Sequence, residues 1–256
     1  MVRPMIPSSI DAFARNAPVT LSAFGGTHQG RVRPINEDRF LVRADAGLFV
    51  VADGMGGHSH GDIASSAVVS ELDAASLPKG TFGRIGAACG AIDRANGAIR
   101  DVARANGGLV IGSTAVVLLV TDLTFTVLWC GDSRAYRIRE GYAERLTRDH
   151  SEAAHLLAQG SITQSEAENW PRTNAIVHAV GVSPRPHIDQ TDGSLEGGDT
   201  FVLCSDGLTE HLRDEEIAAL AVRDEPEGAC RALIRLALER GGTDNVSAIV
   251  VRANAA

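Results

Sequence analysis

The sequence predicts an α+β fold in which antiparallel sheets fill the middle of a sandwich and helices lie outside. Three observations carry this reading. Short runs rich in Val, Ile, Phe and Thr recur along the chain, bounded by Gly, Asp and Asn. Several follow one another across short turns, which selects antiparallel pairing over a βαβ alternation. Helical periodicity is confined to three separate stretches.

The strand runs are expected at 21–28, 39–44, 47–52, 113–120, 124–130, 134–139, 200–204 and 246–252. From Ile63 to Leu77 the residues Ile63, Ala67, Val68 and Leu72 fall on one helical stripe. From Ile85 to Ala105, Ala88, Ile92, Ala95, Ile99 and Val102 do the same, as do Leu233, Leu236 and Ala237 between Ala229 and Arg240. Residues 148–190 are the least regular part and read as an inserted surface segment, the kind that tends to act as a lid. With no repeat and no long polar linker, the expected organisation is an N-terminal arm over 1–20 and one domain over 21–256.

Composition narrows the function. A formal net charge of −8, with no Lys/Arg-rich run, argues against general affinity for nucleic acid or anionic membrane. No apolar stretch reaches membrane-spanning length, and the N-terminus lacks the continuous apolar core of a signal peptide. The four cysteines (Cys89, Cys130, Cys204 and Cys230) form no CxxC pair and are expected to be reduced and structural. A cytoplasmic monomer is the expectation.

Acids stand where apolar runs stop. In "NEDRFLVRADAGLFVVADG" the turn is Ala44 to Gly47, with Asp45 as turn chemistry. Pairing Arg43 with Leu48 and counting outward sets Phe40 opposite Val51 and Asp38 opposite Asp53, with Cβ atoms about 5 Å apart. Facing carboxylates destabilise one another unless one is protonated or a cation lies between them. Asp132 ends "TFTVLWCGD", Asp206 ends "TFVLCSDG", and Asp244 precedes the final strand. Any one Asp-Gly pair is more often only a turn. Five acids at strand ends, without Cys or His at ligand spacing, together describe hard oxygen ligands for Mg²⁺ or Mn²⁺. The Gly54 carbonyl is a candidate further ligand.

The blocks "RVRPINEDRF", "VVADGMGGH", "IGSTAVVLLV", "WCGDSRAYRI", "LTRDHS", "LCSDGL" and "GGTDNVSAIVV" resemble, in this order, the metal-dependent serine/threonine phosphatases of the type-2C (PPM) family, bacterial branch. The resemblance spans about residues 21–252. It implies a four-layer α-β-β-α sandwich with two central antiparallel sheets flanked by helices, and a Mn²⁺ or Mg²⁺ pair at one end. It implies that Asp53 bridges the two ions, that the Gly54 carbonyl binds one, and that Asp206 and Asp244 complete the sites. Asp38, with Glu37 beside it, would act directly or through bound water. Asp132, with Asp206, matches a third, weaker metal site. Arg33, four residues before Glu37, matches the phosphate-binding arginine, with Arg31 a competing candidate. Residues 151–175 correspond to a mobile flap.

The implied reaction is hydrolysis of phosphoserine and phosphothreonine monoesters by a metal-activated water, opposing a bacterial Ser/Thr kinase. No phosphoenzyme is expected. Where eukaryotic members place a histidine after Asp-Gly, this chain has Met55, with His58 and His60 nearby, so the general acid stays unassigned. Two alternatives remain at this level: a silent phosphoprotein-binding module of the same fold, and an enzyme acting on phosphotyrosine or a small phosphorylated metabolite.

Overall fold

The computed structural model describes residues 19–56, 60–168, 170 and 175–255, and its layers follow from period-two alternation within wholly apolar strands. One sheet runs in the order β1 (Val19–His28), β11 (Val246–Ala255), β10 (Thr200–Cys204), β7 (Arg134–Arg139), β8 (Tyr142–Arg145). The other runs β2 (Asp38–Arg43), β3 (Leu48–Gly56), β5 (Ala115–Thr121), β6 (Thr124–Cys130), β9 (Asp189–Ser194), with β4 (Ile111–Ser113) paired to the end of β3. Every pairing is antiparallel.

Because successive side chains point to opposite faces, β3 serves two cores. Phe49 and Val51 meet Phe201, Leu203, Ile249 and Val251 of the opposing sheet, and the Phe125 and Phe201 rings stack edge to face at 5.0 Å. Each such fully buried side chain is worth about 1.5–3 kcal/mol. Leu48, Val50 and Ala52 point the other way, into α1 (Gly61–Asp73) and α2 (Thr81–Ala105). On the far side, Val202, Cys204 and Val250 pack under α6 (Asp214–Ala221) and α7 (Pro226–Glu239). Proline at the first position of α7 suits a helix start, where its missing N–H costs nothing. The result is the four-layer sandwich expected from the resemblance.

Several elements depart from the expectation. The buried line of α1 is Gly61, Ala64, Ser65, Val68 and Leu72, so Ile63 lies off it and is 44% exposed. This helix ends at Asp73 rather than Leu77, consistent with Pro78 disfavouring helical backbone at the residue before it. Strands β8 and β9 were not anticipated. Both are edge strands with polar sequences, YAER and DQTDGS, and carry no apolar alternation. Helix α6 and the four-residue α5 (Asp206–Thr209) were likewise unanticipated.

The irregular 148–190 segment contains α3 (Glu152–Ala158) and α4 (Gln164–Glu168). Its ends are pinned by a Ser151–Ile176 bridge and a Ser113–Val180 bridge. Of the expected arm, Val19 and Thr20 open β1, and residues 1–18 lie outside the described residues. Among the described residues no helix is long and apolar enough to cross a membrane. All four cysteines are free, and burial pushes the Cys130, Cys204 and Cys230 thiols up to about 12, so they serve as small neutral core groups.

Candidate metal centre

The hairpin register is the one read from the sequence: Arg43 pairs with Leu48, Phe40 with Val51, and Asp38 with Asp53. At this end of the sandwich β3 stops, β10 stops and β11 begins. Cys204 lies beside Ala248 and Arg134, which sets Asp206, Asp244 and Asp132 around the same mouth. Asp132 sits on the turn that carries the chain from one sheet to the other, after Gly131 at φ +112°.

Uncharged groups hold these acids in place. The Asp53 N–H donates to Thr114 Oγ1 at 2.9 Å, and the Thr114 N–H donates to the Asp53 carbonyl at 2.8 Å. Thr114 and Ser133 share a hydroxyl hydrogen bond of 2.7 Å. Ser205 donates to Asp38 Oδ2 at 2.8 Å and accepts from the Ser247 N–H at 3.0 Å. Gly207 permits close approach beside Asp206: a Cβ there would sit 2.0 Å from the Asn245 carbonyl oxygen. Asn245 accepts from the Glu37 N–H and donates to the Gln29 and Ile35 carbonyls, fixing the loop that carries Arg33. None of these uncharged residues stood out in the sequence as functional. Ser133, Ser205, Gly207 and Asn245 adjoin an acid at a strand end, whereas Thr114 and Ser247 carry no such signal.

Glu37 faces the start of α1, where its Oε1 accepts the Gly61 N–H at 3.0 Å, a favoured place for a carboxylate. Gly54 is packed so tightly that a Cβ would meet the Gly61 carbonyl oxygen at 2.0 Å. Arg33 is half-exposed and its Nη2 pairs with Asp244 Oδ2 at 2.5 Å, which raises the guanidinium above its ordinary range. Arg31 instead donates to the Leu238 carbonyl, away from the acids. Met55 packs towards Gly112, and His58 lies outside the described residues.

The electrostatics are those of crowded anions. Burial, followed by the neighbouring acids Asp38, Asp206, Asp132 and Asp244, holds the Asp53 carboxyl well above the usual range. Asp206 is raised for the same reasons, Asp132 first among its neighbours. Burial lifts Asp38 to about 6 against the hydrogen bonds from Ser247 and Ser205, and lifts Asp132 to about 7. One oxygen each of Asp38, Asp132 and Asp206 is buried with no hydrogen-bond partner. Leaving a buried acceptor unpaired costs about 1–3 kcal/mol, more if charged. Orphaned anionic oxygens at one mouth are the donor set a hard divalent cation requires, so the residues present fit a Mn²⁺ or Mg²⁺ pair. Among the described residues, the ligand atoms already within 4.8 Å of one another belong elsewhere, to His150, His187 and Asp189, a grouping the sequence reading missed.

The family profile described as Protein phosphatase 2C matches residues 25–236. This chain belongs to the protein phosphatase 2C family. The serine/threonine protein phosphatase PstP of Mycobacterium tuberculosis is 34% identical over 225 residues, 87% of this chain. The chain spans 43% of the length of that protein. Among solved structures, PppA, a key regulatory component of T6SS in Pseudomonas aeruginosa, superposes with TM-score 0.86 at 37% identity, covering 93% of this chain and all of that one. The catalytic domain of PstP in complex with two manganese ions superposes at 0.82 with 30% identity, covering 92% and 99%.

Proposed function

We propose that this chain is a metal-dependent protein serine/threonine phosphatase that hydrolyses phosphoserine and phosphothreonine in protein substrates and opposes a Ser/Thr kinase. The observation that carries this reading is the set of buried, unpartnered oxygens of Asp38, Asp132 and Asp206, gathered around Asp53 with Arg33 at the rim.

In this reading Asp53, Asp206, Asp244 and the Gly54 carbonyl would hold the cations. Asp38, with Glu37 beside it, would act directly or through bound water, and Asp132 with Asp206 would hold a third, weaker ion. When bound, the ions supply Lewis acidity at the phosphoryl oxygens and a water acidified to near neutral pH. The chain's own contribution is positioning. Ser205 and Ser247 fix Asp38, Thr114 fixes the Asp53 backbone, and Asn245 fixes the arginine loop. Asp244 and a phosphoryl group would compete for Arg33, whose planar guanidinium could grip two phosphoryl oxygens when released from that carboxylate. With Met55 after Asp53-Gly54, no side chain of the described residues is assigned as general acid.

The test is release of phosphate from a phosphothreonine peptide in Mn²⁺, with and without Asp53→Ala. We expect turnover that EDTA abolishes and that the substitution lowers at least about 1000-fold, equivalent to about 4 kcal/mol. Full activity in excess EDTA would overturn the assignment.

A further inference from the structure

We propose that the imidazoles of His178 and His187 and the carboxylate of Asp189 form a second metal site, suited to a zinc-class divalent ion, at the base of the 151–175 segment. Its ligands are none of the acids of the mouth, and its chemistry differs from theirs. His187 Nε2 lies 3.1 Å from Asp189 Oδ1. The His178 and His187 ring centroids are 4.5 Å apart. Zinc bonds of about 2.0–2.1 Å in a tetrahedral shell put neighbouring donor atoms about 3.3 Å apart, so the His187–Asp189 spacing needs little adjustment, while the His178 ring must turn to bring a nitrogen to the same ion.

The third imidazole has a different part. His150 is buried, and its Nδ1 accepts the Gly131 N–H at 3.2 Å. That leaves the ring proton on Nε2, which donates to Asp189 Oδ2 at 3.2 Å. His150 therefore holds the carboxylate from behind, with Oδ1 turned to His187, as outer hydrogen bonds hold metal-binding carboxylates. Among the described residues neither His178 ring nitrogen has a hydrogen-bond partner. Partial burial and the neighbouring His187 also keep that ring below its ordinary range, in the neutral form a metal needs.

Two imidazoles and a carboxylate select differently from the all-oxygen mouth, favouring Zn²⁺ over Mg²⁺. The site also bridges chain segments. His178 follows Ile176, which pairs with Ser151 at the root of the segment, and Asp189 opens β9. A bound ion would tie the chain around Ile176 to the sheet edge at β9, and the Gly131 contact of His150 lies next to Asp132.

The experiment uses untagged protein in excess Mg²⁺ with one equivalent of Zn²⁺, read by X-ray absorption at the zinc edge. We expect two imidazole nitrogens at about 2.0–2.1 Å. His178→Asn and His187→Asn should each remove part of that imidazole signature and weaken zinc binding, measured against a chromophoric chelator, by more than about 100-fold. His150→Gln should weaken it by about 10–100-fold, as loss of an outer partner does. Manganese-dependent phosphatase turnover should stay within about twofold in the two asparagine variants, so failure here is distinguishable from failure of the phosphatase reading. An oxygen-only zinc shell, or unchanged zinc affinity in both asparagine variants, would overturn the proposal and leave a His–Asp–His hydrogen-bond cluster.

Discussion

Asp38→Asn in metal-free protein tests whether the mouth is a store of electrostatic repulsion. Asp38 is fully buried, and burial lifts its carboxyl from 3.8 to about 6. At about 1.36 kcal/mol per unit this corresponds to about 3 kcal/mol. The sign follows from the raised folded value. Below about pH 3 the group is protonated in both folded and unfolded chains and contributes nothing. As pH rises to about 6 the unfolded chain ionises first, so the folded state progressively loses about 3 kcal/mol, and the full penalty persists above that. Asparagine keeps the shape and can still accept from Ser205, but never ionises. Urea denaturation in EDTA should find the variant about 2–3 kcal/mol more stable than the parent at pH 7, with the two converging at about pH 3. Mn²⁺ at about 1,000 times the parent's dissociation constant should reverse the order, because the parent then gains about 4.1 kcal/mol. A variant no more stable than the parent in EDTA at pH 7 would refute the reasoning.

Two further outcomes follow from the same geometry. Arg33→Ala should lower kcat/KM by about 10–100-fold, the worth of a charge-assisted hydrogen bond, and Arg33→Lys should restore only part of it because a point charge cannot form the fork, as steady-state kinetics on a phosphopeptide will report. Gly54→Ala should destabilise the fold by more than about 2 kcal/mol in chemical denaturation, since the new methyl would collide with the Gly61 carbonyl, a backbone atom that cannot rotate away.

The β2–β3 register was readable because one tight turn and a run of apolar pairs leave a single alignment, and that alignment alone brings Asp38 to Asp53. The ends of β10 and β11 were readable for a similar reason: apolar runs that stop on an acid. What escaped was polar or long-range. Tyr142–Arg145 and Asp189–Ser194 are strands because a neighbour offers its edge, not because their side chains demand it. Ile63 shows that a stripe of apolar residues leaves the facing angle free by one position when small residues such as Ala64 and Ser65 can line the contact. Thr114, Ser205 and Asn245 are ordinary strand-end residues until folding sets them against the acids. Only His187 and Asp189 are neighbours in the sequence; His150 and His178 come from distant segments, so no local spacing announces the group.

Asp38 and Asp53 belong to one sheet, Asp206 and Asp244 flank strands of the other, and Asp132 sits on the crossing between them. Neither half can therefore chelate alone. On the proposed reading, ion capture would be a certificate of assembly, issued only after the two β layers have docked, and a nascent or half-melted chain would be debarred from hydrolysis until it is whole.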